Sequence, residues 1–341
     1  MDRLPSPSDN GLDRSADLTL RPKRFTDFVG QLRVVENLRV YIEAAIQRNS
    51  SLDHILLSGP PGLGKTTLAT IVANELGVEV RATSGPVVEK PADLAGLLTN
   101  LNRGDVLFID EIHRLPTVVE EYLYSAMEDF SIDIIIDSGP AARSIRIDVP
   151  PFTLIGATTR EGLLSAPFRA RFGVHERLNY YENSDLHVII ERAARIMGIQ
   201  IELDGAAAIA SRSRGTPRIA TRYLRRIRDV AEVLGNSVID AHIAHKGLQM
   251  MGIDALGLDQ LDRHILECLY AQEGGPVGLK TISVVVGEEP DTIENVYEPY
   301  LIQLGLIAKT PRGRKRTSAG YRDIGKQPPA ATTEGQPLFE K

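Results

Sequence analysis

Gly59-Pro60-Pro61-Gly62-Leu63-Gly64-Lys65-Thr66 reads as glycine, four residues, then Gly-Lys-Thr. No other feature constrains this chain so tightly, because the pattern works only where a buried strand turns directly into a helix. Both neighbours are present. His54 to Ser58 is an apolar run of strand length, and Thr66 to Leu76 has no glycine or proline to break a helix. Gly59, Gly62 and Gly64 let the backbone wrap an anion with its N–H groups turned inward, and the helix N-terminus adds positive potential. The spacing therefore predicts a nucleotide phosphate cradle. Lys65 reaches the β- and γ-phosphates, Thr66 offers its hydroxyl to Mg²⁺, and Leu63 and Thr67 complete the contact surface.

Three more runs of strand length follow: Val78 to Ala82, Val106 to Ile109 and Thr153 to Ala157. Strands apolar on both faces and separated by helices imply a parallel sheet, so residues 19–182 are expected to form an α/β domain. Ligands bind at the C-terminal edge of such sheets. Asp110 and Glu111 follow the third run there. Asp110 is expected to hold Mg²⁺, through water, and Glu111 to orient and deprotonate the attacking water. Thr158 and Thr159 end the fourth run, where either hydroxyl could sense the γ-phosphate or that water.

Residues 183–253 read as a small helical domain, with helices opening at Ser184, Asp204, Thr216-Pro217 and Asp240. Arg218 falls in the first turn of the third helix, where a cation opposes the helix dipole; a bound phosphate would explain it. Residues 254–326 predict helices over Leu258–Tyr270, Leu279–Val286 and Thr292–Leu304. A strand at Leu306–Lys309 and a basic turn at Pro311–Arg316 follow, the pattern of a winged helix. Residues 1–18 and 327–341 are polar and proline-rich, and are expected to be disordered tails.

The chain is acidic, with a formal net charge of −6, so any hold on nucleic acid must come from a local basic patch. Lys309, Arg312, Arg314, Lys315 and Arg316 supply one. The preceding helix carries or follows Glu288, Glu289, Asp291, Glu294 and Glu298, which would repel phosphate. Backbone contact from the wing, without base reading, is the expectation. Phe130 to Asp148 predicts a β-hairpin, with Ile132, Ile134 and Ile136 alternating on one arm and Ile145 and Ile147 on the other. An apolar hairpin that protrudes needs a partner surface. Cys268 is the single cysteine, which excludes an intrachain disulfide. No apolar run approaches the ~20 residues of a membrane span. With no apolar signal core at the N-terminus, a cytoplasmic location is expected.

Several segments together resemble the RuvB family, Holliday-junction branch-migration motors of the AAA+ class. They are Leu20-Arg21-Pro22-Lys23, Asp110-Glu111-Ile112-His113-Arg114, Gly156-Ala157-Thr158-Thr159-Arg160, Phe168-Arg169-Ala170-Arg171-Phe172-Gly173, Gly215-Thr216-Pro217-Arg218 and Thr310-Pro311-Arg312-Gly313-Arg314. The resemblance covers roughly residues 19–326. It implies a large AAA+ P-loop domain on a parallel sheet, a small all-helical lid and a C-terminal winged-helix domain. It implies an ATP hydrolase that turns ATP into ADP with Mg²⁺ and couples this to movement along DNA. The working form would be a homohexameric ring around duplex DNA at a Holliday junction, with RuvA docked on the 130–148 hairpin and RuvC as a further partner. Leu20, Arg21 and Tyr181 would flank the nucleotide. Glu128, Asp129 and Phe130 would lie near it across a subunit boundary. Thr158 or Thr159 would be sensor 1, Arg218 sensor 2, and Arg171 an arginine supplied to the neighbouring site. The competing reading is a clamp loader or another AAA+ remodelling subunit. A clamp loader ends in a helical collar without a basic wing.

Overall fold

The computed structural model describes residues 19–135, 144–236, 238–271 and 275–323. The two expected tails and Ile136 lie outside the described residues. The chain divides into two compact units after Ala244.

The first unit is built on strands β1 (Ile55–Ser58), β2 (Val80–Ser84), β3 (Val106–Asp110), β4 (Ser131–Ile135), β5 (Ser144–Asp148), β6 (Thr153–Thr158) and β7 (Val174–Arg177). Five of them form one wholly parallel sheet in the order β2-β3-β6-β1-β7. The register pairs Ser58 with Thr158 and Ser84 with Asp110, so the P-loop, the two carboxylates and the two threonines leave the sheet along one edge. β7 has no counterpart among the expected strands. Val174-His175-Glu176-Arg177 alternates buried and exposed residues, as an edge strand covered on one face does, and its buried acid Glu176 accepts from Asn37 Nδ2 at 2.7 Å. Helices Pro91–Leu98 and Thr117–Asp129 close one side of the sheet through Leu94, Leu98, Val119 and Leu123, packed on Leu107, Ile109 and Leu154.

β4 and β5 pair antiparallel, Ile132 opposite Ile147 and Ile134 opposite Ile145. Among Ile132, Ile145 and Ile147 the burial differs. Ile132 is buried in the domain core and Ile147 packs against it, whereas Ile145 is 50% exposed.

The lid portion holds helices Asn183–Ile196, Leu203–Ala210, Pro217–Val233 and Ala241–Met250. The first two begin before the expected caps: Glu182 and Glu202 are the N-cap residues, and Ser184 and Asp204 lie inside the first turn. Thr216 and Asp240 do precede their helices, and Asp240 Oδ1 accepts the Ile243 amide at 2.8 Å. The lid is not wholly helical, because β8 (Gln200–Ile201) and β9 (Val238–Ile239) form a two-residue parallel ladder.

The second unit packs helices Gln260–Ala271 and Leu279–Val286 against a composite helix. That helix is α at Pro290–Thr292, π over Ile293–Tyr297 and α again at Glu298–Gln303. The hairpin of β10 (Ile307–Thr310) and β11 (Gly313–Arg316) is the wing, and a short helix, Ser318–Asp323, follows. The expected basic turn is thus mostly strand. Leu266, Cys268, Ile282, Ile293, Leu301 and Leu306 fill the core. No helix among the described residues is long and apolar enough to cross a membrane.

Candidate functional site

A cavity of about 410 Å³ lies where the sheet edge meets the lid. Gly62 and Gly64 line it and Gly59 does not, and close approach requires two of these loop glycines. A Cβ on Gly59, at φ +132°, would sit 2.4 Å from the Leu178 carbonyl oxygen, and one on Gly62 would meet the Thr216 side chain at 2.8 Å. Gly62, Leu63, Gly64, Lys65, Thr66 and Thr67 all line the cavity. Lys65 opens the helix Lys65–Leu76, and its Nζ donates to the carbonyls of Gly59 at 2.7 Å and Pro60 at 2.9 Å. Burial lowers its pKa, opposed by the Asp110 and Glu111 carboxylates.

Leu20, Arg21, Tyr181 and Arg218 line the same cavity. Tyr181 Oη donates to the Leu63 carbonyl at 3.2 Å, and burial pushes its phenol well above the ordinary value. Arg218 stands in the first turn of Pro217–Val233, its amide against the Gly62 carbonyl. Phe28, Val29, Ile189, Arg192 and Thr221 also line it, and sequence reasoning passed over them. They belong to no motif. Arg192 is placed by donating to the Leu20 carbonyl at 2.8 Å, a contact across 172 positions.

Asp110 and Glu111 both face the cavity. Glu111 has a left-handed backbone, φ +47°. Such a conformation in a residue with a Cβ costs about 1–3 kcal/mol and gathers at functional sites. Its Oε2 accepts the Thr159 hydroxyl at 3.3 Å. Thr158 is fully buried instead, with Oγ1 3.0 Å from His113 Nδ1. The two threonines thus divide: Thr159 addresses the carboxylate, and Thr158 lies beneath it.

Arg171 and its companions are elsewhere on the unit. Arg171 pairs with Glu128 and donates to Tyr124 Oη. Phe130, at φ +49°, turns its ring edge-on to Phe152, 6.2 Å between centroids. Arg171, Glu128, Asp129 and Phe130 are not among the residues lining the cavity.

In the wing the five cations are not equivalent. Arg312 and Lys315 are exposed. Lys309 Nζ lies 2.9 Å from Glu294 and 3.1 Å from Glu298. Arg314 binds the Glu298 carboxylate through Nε at 2.5 Å and Nη2 at 3.2 Å. Arg316 is 4% exposed. Burial lowers its pKa, with Asp323 opposing. It belongs to the interior of the wing, not to its surface.

Residues 20–178 match the family described as Holliday junction DNA helicase RuvB P-loop domain. Residues 181–254 match the RuvB AAA lid domain, and residues 255–325 the RuvB C-terminal winged helix domain. The chain belongs to the RuvB family. The Holliday junction branch migration complex subunit RuvB of Myxococcus xanthus is 58% identical over 318 residues, 93% of each chain. That of Salinibacter ruber is 56% identical over 330 residues, 96% of this chain and 95% of the relative. The solved Thermotoga maritima RuvB Holliday junction branch migration motor superposes with a TM-score of 0.83 at 49% identity, covering 91% of this chain and 99% of that one. RuvB membership fixes the architecture as an AAA+ P-loop domain, a lid and a winged helix, and implies nucleotide binding.

Proposed function

We propose that the chain is the ATP-hydrolysing motor subunit of a Holliday-junction branch-migration complex. The observation that carries this is the cavity that gathers Gly62, Gly64, Lys65, Asp110, Glu111 and the lid residue Arg218. Thr66 and Asp110 offer one hydroxyl and one carboxylate to that cavity. Hard oxygen donors, few enough to leave room for phosphate oxygens and water, suit Mg²⁺. When bound, it would neutralise charge on the β- and γ-phosphates.

The chain's own groups supply the rest. Lys65 leaves the loop carbonyls for the phosphate oxygens, and Arg218 grips from the lid. Glu111 takes a proton from a water whose oxygen bonds to the γ-phosphorus as the β–γ bridge breaks, leaving ADP. Arg171, remote from its own cavity, serves the site of a neighbouring copy, which requires a ring; six copies around duplex DNA is the form proposed. The 130–148 hairpin docks on RuvA, RuvC acts at the same junction, and Arg312 and Lys315 hold DNA phosphates without reading bases.

The test is branch migration of a synthetic four-way junction with ATP, with and without RuvA, beside ATPase assays on duplex DNA. Wild-type protein should move the junction, and duplex should stimulate turnover. Lys65→Ala should lose nucleotide binding or turnover. Glu111→Gln should bind ATP and trap it. Turnover that ignored DNA, with no junction movement, would overturn the motor assignment.

A further inference from the structure

His113 sits directly behind the base. Its Nδ1 lies 3.2 Å from Glu111 Oε2 and 3.0 Å from Thr158 Oγ1, and its side chain is only 7% exposed. Thr158 Oγ1 in turn accepts the Arg160 amide at 3.0 Å.

The charge on Glu111 favours one direction for these contacts. An ionised carboxylate oxygen only accepts. A bare Nδ1 lone pair 3.2 Å away would repel it, so the carboxylate favours the forms of the ring that carry a hydrogen on Nδ1. This holds for the neutral Nδ1–H tautomer and for the imidazolium alike. In those forms the Nδ1 hydrogen faces the Thr158 hydroxyl oxygen at hydrogen-bond distance and the Glu111 carboxylate as a charge contact.

The imidazole is held rigidly enough to orient what it touches. His113 occupies a single 3₁₀ turn, Ile112–Arg114, that starts at the left-handed Glu111. Ile112 is fully buried, so close to β6 that a Cβ on Gly156 would meet its Cδ1 at 2.9 Å. The turn and the end of β6 are therefore one packed block, and His113 joins the carboxylate to it.

We propose that His113 is a positioning residue for ATP hydrolysis: it fixes the Glu111 carboxylate against the buried end of β6 at Thr158. The inference rests on Glu111 acting as the base in the function proposed above. Glu111 is about one-third exposed and reaches Thr159 only at 3.3 Å. Without the imidazole its carboxylate would swing among rotamers, and the base would be misplaced in most of them.

The experiment uses the full chain with ATP and duplex DNA, comparing His113→Ala, His113→Asn, His113→Gln and Glu111→Gln. An asparagine amide places an N–H near the position of Nδ1; a glutamine amide places it near Nε2. His113→Ala should lower kcat about 10–100-fold, the range for removing a group that orients an active one, with the nucleotide Kd changed less than about twofold. His113→Asn should recover most of kcat and His113→Gln little. On the Glu111→Gln background, His113→Ala should add no further loss, because residues acting as a unit are not additive. Normal kcat in His113→Ala, or Asn and Gln variants equally slow, would overturn the role of His113 while leaving Glu111 as base. Wild-type turnover in Glu111→Gln would remove the base assignment and this inference with it.

Discussion

The Arg171 guanidinium carbon stands 4.5 Å from the centroid of the Tyr124 ring. Glu128, one turn farther along the same helix Thr117–Asp129, pairs with the same side chain. A long cation is thus held by a ring face and a carboxylate before any partner arrives. Arg171 remains one-third exposed, so its charge is presented outward.

That preorganisation predicts a separable defect. Arg171→Ala should fold, bind ATP with nearly unchanged Kd, and hydrolyse it about 10³-fold or more slowly, the range for an arginine donated to a γ-phosphate. Mixing it with Lys65→Ala should regain part of the activity, since each variant lacks what the other supplies. Steady-state ATPase of the two proteins, alone and mixed, checks this. Mixtures as inert as their components would exclude a contribution in trans.

A second prediction concerns His54, where β1 begins. Its Nδ1 accepts the Leu154 amide at 2.9 Å and its Nε2 lies 3.2 Å from the Met127 carbonyl, which it can only donate to. Both contacts are satisfied by the neutral ring alone. Burial lowers the pKa, against smaller opposing effects from the Met127 carbonyl and Asp53. The unfolded chain, titrating near 6.5, therefore binds a proton before the folded chain does. The stability that His54 contributes is complete above that pH and is lost as pH falls from about 6.5 toward the folded value. The loss is at most about 1.4 kcal/mol per pH unit for one proton. Urea midpoints between pH 7.5 and 5.5 should fall more in wild type than in His54→Gln; parallel slopes would assign the acid sensitivity elsewhere.

How far the site was legible in the sequence follows from how each residue is held. The P-loop and Asp110-Glu111 are local patterns on strands buried on both faces, so sequence order alone places them. β7 was hidden because an edge strand alternates, and four such residues resemble a loop. Phe28, Ile189 and Arg192 enter the cavity through tertiary contacts that no short window contains. Arg316 reads as one more surface cation in a basic run, yet it turns inward beside the exposed Lys315. His113 stands inside a local motif that assigns it nothing, because its contact with Thr158 spans 45 positions.

The wing supplies the last prediction, which comes from the acids that sequence reading took as repulsive to DNA. Glu294 and Glu298 do not face solvent as free charges; they hold Lys309 and Arg314. Their exposures differ, 38% for Glu294 and 1% for Glu298, and so should their roles. Glu298 is anchored by a two-point grip on Arg314, and removing one partner of a buried pair costs about 3–5 kcal/mol. Glu298→Ala should therefore destabilise the winged-helix domain. Glu294 is more open to water, and a DNA phosphate approaching Lys309 must compete with it. Glu294→Gln should tighten duplex binding and steepen the dependence of log K on log salt by up to about 0.9, one additional phosphate neutralised. Removing the exposed pair, Arg312→Ala with Lys315→Ala, should weaken binding and flatten that slope by about 1.8. Fluorescence anisotropy on a fixed duplex across a salt series measures both. Weaker binding in Glu294→Gln would mean that the carboxylate orients Lys309 for DNA rather than competing for it.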